Sequence, residues 1–379
     1  METSTRGRLR EPVALRPDPR VDRTNRPLLL EMVVIAGWAV MCGADSWVDL
    51  EAYGRAKDAW LKRLLPLPQG IPSHDTLARV LAWLKPEACR SCCLAWLPAV
   101  QEPRGGPLAS HRVAIDGKAA RPRVDRAIAR GPLHLVRAWA TAAPLVLGPV
   151  AVEPKRHEIT AIPTLLQLLE LSGGVVTIDA MGTPKEVAKT IRDQEADDGL
   201  ALKGHQGTLH EDVALLFEWA DAQQYRDVVH QSDETHHTGH GREERRRPTV
   251  TNDLTGRWGY EDGGGLQTVA MVEAWRTQGG AVSDERRDYI SSLGLDAKPM
   301  AERVRGHWAI EKALRWVLDL AFREDDSRIR KGHAPENFAR LRPMALNLLT
   351  QEQTKRHGMK VKRNRAGWDN DSLLTGLAI

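Results

Sequence analysis

The spacing of the apolar residues changes once along the chain, at the linker Pro103–Pro107 with its two glycines, and that change constrains the fold more than any other feature. Before the linker, from Leu28 to about Val100, apolar residues recur at helical spacing. The stretch Ile71-Pro72-Ser73-His74-Asp75-Thr76 interrupts that pattern as a turn, with Ser73 or Asp75 available to cap the helix carrying Leu77, Val80, Leu81 and Leu84. After the linker come short apolar runs bounded by glycine, proline or aspartate: Val113–Ile115, Leu133–Trp139, Leu145–Val152, Val175–Ile178 and Leu200–Leu202. These read as strands. Between the third and fourth, Ile159, Ile162, Leu165, Leu166 and Leu169 keep helical spacing, and Pro184 suits the first turn of another helix. Three strands joined by turns, then helix, strand, helix and strand, describe an α/β domain with a mixed sheet.

From about Tyr225 to Leu293 the chain is polar and glycine-bearing, with Thr268–Trp275 and Tyr289–Leu293 as its clearest strands. This reads as a β-rich insertion, about 225–293. A long helix is expected from Pro299 to Phe322 and a second from Pro335 to Thr350. The expected organisation is a flexible basic arm at 1–27, a small all-helical domain at 28–102, an α/β domain at 108–350 and a basic tail at 351–379. The first 26 residues hold seven arginines, and Lys355, Arg356, Lys360, Lys362, Arg363 and Arg365 read as a solvated run.

Composition removes several function classes. With 42% hydrophobic and 27% charged residues the chain is neither mainly disordered nor fibrous. Lysine and arginine total 54 against 50 acidic residues, so a nucleic-acid partner must be met by local basic patches. The longest apolar run, Met32–Ala44, falls short of the roughly 20 residues a spanning helix needs, so a soluble cytoplasmic protein with no membrane partner is expected. Cys89, Cys92 and Cys93 lack a second ligand pair, and His230, His236, His237 and His240 lack companions at ligand spacing, so zinc is not expected. No glycine-rich phosphate loop appears, so neither is a nucleotide cofactor.

Three carboxylates stand out. Asp116 ends the first strand ahead of Gly117, where a plain turn is the rival reading. Asp179 ends the strand Val175–Ile178, where α/β sheets bind ligands, with helix capping as the rival. Glu311 sits in an apolar stripe: at 100° per residue Met300, Val304, Trp308, Leu314 and Leu318 lie within about 60° of it. An unpaired buried carboxylate costs several kcal/mol, so Glu311 either pairs with Arg315 one turn on or holds a metal. Asp319, at the edge of the stripe, is the rival third carboxylate; Glu324, Asp325 and Asp326 read as solvated. Three hard-oxygen side chains suit Mg²⁺, and two such ions clamp an in-line displacement at phosphorus.

The sequence resembles the DDE-type transposases of bacterial insertion sequences, specifically the family that includes the H-repeat-associated proteins. The resemblance is carried by Ile71–Thr76, Ile115-Asp116-Gly117-Lys118, Glu158–Pro163, Thr177-Ile178-Asp179-Ala180-Met181-Gly182 and Ala201-Leu202-Lys203-Gly204. It continues through His240-Gly241-Arg242, Tyr289–Leu293, His307-Trp308-Ala309-Ile310-Glu311 and Trp316-Val317-Leu318-Asp319. The stretches follow in the family's order from about residue 14 to 350. The resemblance implies a ribonuclease H-like mixed-sheet core with a β-rich insertion, preceded by a small all-helical domain. It implies catalysis and metal binding by Asp116, Asp179 and Glu311, with two Mg²⁺ ions for which Mn²⁺ can substitute. The implied activity is metal-dependent cleavage at element ends and strand transfer into target DNA, by a homodimer or higher multimer at the bacterial nucleoid. Lys118, Lys203, His240, Arg242, Arg245, His307 and Arg315 are the implied DNA-facing residues. Three positions depart from the pattern: Lys312 replaces asparagine, Arg315 histidine and His205 asparagine. The departures at 312 and 315 motivate an alternative, a catalytically inactive DNA-binding relic that represses transposition.

Overall fold

The computed structural model describes residues 29–89, 112–119, 134–140, 145–152, 158–179, 184–204, 208–239, 241–254, 265–308, 310–354 and 356–376. Ahead of the linker the elements are helices: α1 (Leu29–Met41), α2 (Trp47–Ala56), α3 (Asp58–Leu64) and α4 (His74–Trp83). α1 is buried on nearly every side, which its run of Met32, Ile35, Ala36, Ala39, Val40 and Met41 requires. Its one acid, Glu31, is buried too and accepts a hydrogen bond from the Leu67 amide at 2.7 Å. Ser73, not Asp75, caps α4, its Oγ accepting from the Thr76 amide at 3.3 Å.

The strands and helices that follow are β1 (Arg112–Ala119), β2 (His134–Ala140), β3 (Leu145–Val152), α5 (Glu158–Leu166), β4 (Val175–Ile178), α6 (Pro184–Arg192) and β5 (Asp197–Ala201). Next come α7 (Thr208–Ala222), β6 (His230–Ser232), β7 (Thr235–Gly239), β8 (Arg242–Thr251), β9 (Thr268–Gln278) and β10 (Ala281–Ser291). All ten strands belong to one mixed sheet in the order β3-β2-β1-β4-β5-β10-β9-β8-β6, with β7 paired to β8. β2 is antiparallel to both β1 and β3, whereas β1–β4 and β4–β5 are parallel. β10 joins β5 antiparallel and leads through β9 and β8 into a long ribbon. The five sequence-expected strands of the core are thus present. α7 was not anticipated, although Leu209, Val213, Leu216, Phe217 and Ala220 bury one face at helical spacing.

The chain closes with α8 (Ala297–His307), a π-helical turn (Glu311–Arg315) running into α9 (Trp316–Leu320), then α10 (Ala334–Gln351), α11 (Met359–Trp368) and α12 (Asn370–Gly376). α10 ties both halves into one apolar core. Its buried Asn337 donates to the carbonyls of Leu81 and Leu84 at 2.9 and 2.8 Å. Its buried Asn347 donates to the Val146 carbonyl at 2.9 Å and accepts from the Val146 amide at 2.8 Å. Each side-chain amide fixes the helix against a neighbour, and Asn347 is satisfied through both its nitrogen and its oxygen.

The C-terminal basic run is solvated only in part: Arg356 and Lys360 are exposed, as its composition suggests, but Arg363 is not. Arg363 is buried, donating to the Val40 carbonyl at 2.7 Å, to the Ala321 carbonyl and to Asp45 at 3.1 Å. One planar guanidinium with five donors closes the carbonyl ends of α1 and α9 together, which a count of charges cannot reveal. Lys355 lies outside the described residues. Among the described residues no helix is long and apolar enough to cross a membrane.

Candidate active site

The parallel register of β1 and β4 sets Ile115 opposite Ile178. The next residues, Asp116 and Asp179, therefore stand side by side at a strand spacing of about 4.8 Å. Asp179 lies just past β4, but Asp116 lies inside β1, which runs on to Ala119 and does not end there as expected. Side chains alternate along a strand, so both carboxyls lie on the face that also carries Ala114, Thr177 and Gly199. Those three form a row of small residues on which α8 packs. At the end of α8 the His307 Nδ1 meets the Thr177 hydroxyl at 3.2 Å. Burial pushes the His307 imidazole down to about 4, so it is neutral at pH 7. A shallow cavity opens beside Asp179, lined among others by Thr177, Tyr289, Arg303, His307 and Trp308.

Each aspartate carries a cation. The Arg315 Nε lies 3.3 Å from Asp116 Oδ2, while its Nη2 donates to the Gly117 carbonyl at 2.7 Å. Lys203 Nζ donates to Asp179 Oδ2 at 3.0 Å. Both aspartates are only partly exposed, and both basic side chains reach solvent.

The helix carrying Glu311 is not continuous from Pro299 to Phe322 as expected. α8 ends at His307 and the π-helical turn begins at Glu311, which changes the phase of everything after it. Ile310, Leu314 and Leu318 form the buried stripe, and Trp308 is only half-buried. Arg315 and Asp319 form the row beside that stripe. That row lies along β1: Arg315 reaches Asp116 and Gly117, and Asp319 accepts from Lys118. The side chains of Glu311 and Lys312 lie outside the described set, as does His205.

Two further expectations are corrected. Lys118, expected to face DNA, is buried, with its ammonium on Asp319, on Asp325 at 2.9 Å and 3.6 Å from Glu324. Glu324, expected in solvent, is buried and accepts from Arg137 Nη2 at 2.6 Å. Burial pushes the Glu324 carboxyl up, but Arg137, Arg342 and Lys118 together hold it below its ordinary value. Arg137 stands opposite Asp116 on β2 and was missed. An arginine inside the apolar run Leu135–Ala140 was the available signal, because such a charge needs a buried partner. Asp326 is exposed and pairs with Arg323 at 3.3 Å.

The remaining basic candidates are not brought to the aspartates. Arg242 stands opposite Gln278, which pairs with Ala281 at the far end of the ribbon. That end is about 27 Å along β10 from Tyr289 at the usual rise per residue. Arg245 pairs with Glu234 at 2.6 Å and lies 5.0 Å from the Trp275 ring centre. His240, Cys92 and Cys93 lie outside the described residues. Among the described side chains, which omit Glu311, no three His, Cys, Asp or Glu residues are grouped as for a metal ion.

Comparison with known families matches residues 113–348 to the Transposase DDE domain and residues 14–97 to the DDE_Tnp_1-associated domain. The chain belongs to the DDE transposase family. It is 36% identical over 357 residues to "Putative transposase YncI" of Escherichia coli O157:H7, which covers 93% of this chain and 90% of that protein. It is 32% identical over 384 residues to "H repeat-associated putative transposase YhhI" of Escherichia coli K12, with 98% of both chains covered. A shorter K12 relative, "Inactive transposase YbfQ", is 33% identical over 75 residues, 20% of this chain. The DDE domain of this chain spans β1, β4 and the Glu311 helix, so the two adjacent aspartates and the row over β1 all fall inside it.

Proposed function

We propose that this DDE transposase cleaves DNA at the ends of a bacterial insertion sequence and joins the freed 3′-hydroxyl to target DNA, on a ribonuclease H-like core. The observation that carries the reading is the adjacency of Asp116 and Asp179 across the parallel β1–β4 pair, with Arg315 and Asp319 of the helix that bears Glu311 in contact with the same β1. The order β3-β2-β1-β4-β5, antiparallel on one side of β1 and parallel on the other, supports the core assignment. In this reading β6–β10 are the insertion and the helices before β1 are the associated N-terminal domain.

The donor chemistry fits divalent cations. Two hard carboxylates stand side by side, and each already holds one cationic group, Arg315 or Lys203. Asp116, Asp179 and Glu311 would hold Mg²⁺, or Mn²⁺ in its place. When bound, such ions activate the attacking oxygen and stabilise the leaving one. Water attacks in cleavage and the 3′-hydroxyl attacks in joining. Lys203 and Arg315, on the solvent side of the aspartates, supply positive charge for phosphate oxygens. Neutral His307 orients the end of α8 through Thr177 and competes for no cation. The partners are element-end and target DNA, engaged by a multimer at the nucleoid; no nucleotide cofactor takes part.

The test is Mg²⁺-dependent cleavage of an end-bearing duplex. Asp116→Asn and Asp179→Asn each abolish product while leaving end binding within about threefold, and wild-type rates in either variant overturn the assignment. The guanidinium on Asp116 favours one second reading, an end-binding protein without strand chemistry. Normal end binding by the wild-type chain with no Mg²⁺-dependent product selects it.

A further inference from the structure

The contacts between β1 and the helix that bears Glu311 form a clamp with two points. Arg315 holds Asp116 and Gly117 on the strand; Asp319, one turn later, holds Lys118, two residues later. A helical turn of four residues rises about 6.0 Å and two strand residues about 6.6 Å, so both contacts are satisfied at once only in one register. A slip of the helix by one turn would shift Glu311 by about 6 Å, far beyond a metal–oxygen bond of roughly 2 Å.

Lys118 is built for this task and not for DNA. It is buried and surrounded by Asp319, Asp325 and Glu324, with Glu324 in turn held by Arg137 from the neighbouring strand. An ammonium so enclosed offers nothing to a phosphate. The same cluster also does not amount to a cation site, because Lys118 already stands among the three carboxylates.

We propose that Lys118 and Asp319 are positioning residues that dock the helix bearing Glu311 onto β1 and so set the third carboxylate against Asp116 and Asp179. Asp319, the rival third carboxylate on sequence, is thereby an anchor for Lys118. The inference rests on the reading of Asp116, Asp179 and Glu311 as the metal-binding set.

The test is Mn²⁺ titration of the full chain followed by electron paramagnetic resonance, with amide exchange across 310–320 and end binding measured in parallel. Asp319→Ala leaves Lys118 with Asp325 and Glu324, so the fold survives. It weakens Mn²⁺ affinity by about tenfold, as loss of an outer-shell support does, and speeds exchange across 310–320, with end binding within twofold. Lys118→Met repeats the loss if it folds, and Lys118→Arg restores most of the affinity. Unchanged Mn²⁺ affinity in Asp319→Ala, while Asp116→Asn destroys it, overturns the positioning role alone. Unchanged affinity in Asp116→Asn overturns the metal-site reading and this inference with it. Tighter Mn²⁺ binding in Lys118→Met, or weaker end binding with Mn²⁺ affinity intact, also overturns it, by making the cluster a cation site or Lys118 a phosphate contact.

Discussion

The two halves of the sheet carry charge in opposite ways. On β1 and β2, Lys118 and Arg137 are buried, and their partners Asp319, Glu324 and Asp325 come from the helix that bears Glu311 and the turn after it. Arg112, at the start of β1, reaches solvent and pairs with Glu302. On the ribbon of β8, β9 and β10 seven arginines stand against six acids, most of the arginines reach water, and the positive excess is local. Arg242, Arg246 and Arg276 converge on the single carboxylate of Glu244 at 3.0, 2.7 and 3.0 Å. Burial works against ionising Glu244, yet the three arginines hold its carboxyl at about 2. The core pairs therefore specify a geometry, whereas the ribbon presents excess positive charge that phosphates can share.

The largest effect separating the halves should come from Arg137→Met. It removes the cation that is hydrogen-bonded to buried Glu324 and leaves that carboxylate with the longer contact to Lys118 at 3.6 Å, at a cost of about 3–5 kcal/mol in urea unfolding. A loss under about 1 kcal/mol, the range of exposed pairs, would place core and ribbon in the same class. Glu324→Leu added to Arg137→Met should recover most of the loss.

Two buried groups on neighbouring strands and helix give pH slopes of opposite sign. Burial raises Asp198 on β5 to about 7. Its folded form binds more protons than the unfolded chain between about 4 and 7, so stability falls as pH rises through that window. Asp198→Asn should gain on the order of 1–3 kcal/mol at pH 8 and little at pH 4. His307, pushed down to about 4, acts the other way. Its contribution is complete above its unfolded value near 6.5 and is lost as pH falls towards 4. His307→Gln should therefore remove that acid loss and leave the Asp198 slope alone in the thermal midpoint against pH. A profile unchanged by either variant would contradict both assignments.

The smallest stability effect belongs to the ribbon. Arg245→Ala should change unfolding free energy by less than about 0.5 kcal/mol, since its pair with Glu234 is exposed. Arg276→Ala should lower the salt slope of end binding by about 1 if the surplus charge meets phosphates, and by nothing if it does not.

Much of this was legible in the residues. Short apolar runs closed by Asp, Gly or Pro located β1 to β5, because strand burial is local and periodic. Asp179 was legible as a strand-end carboxylate for the same reason, whereas Asp116 lies inside β1, because the strand continues through Gly117 to Ala119. The break before Glu311 was not legible: extrapolating 100° per residue across Trp308 assumes one continuous helix, whereas α8 ends at His307 and a π-helical turn follows from Glu311. Lys118 and Glu324 were read as surface charges because their partners lie about 200 positions away in sequence. Arg363 failed alike, since what buries it is a pair of helix ends that meet only in the fold.

The most direct test of the site is the anomalous signal of Mn²⁺ in crystals of the full chain. Peaks within about 2.2 Å of carboxylate oxygens of Asp116 and Asp179, with Glu311 completing the shell and Lys118 still on Asp319, are the expected result. Mn²⁺ among Asp319, Glu324 and Asp325 with Lys118 displaced would contradict it.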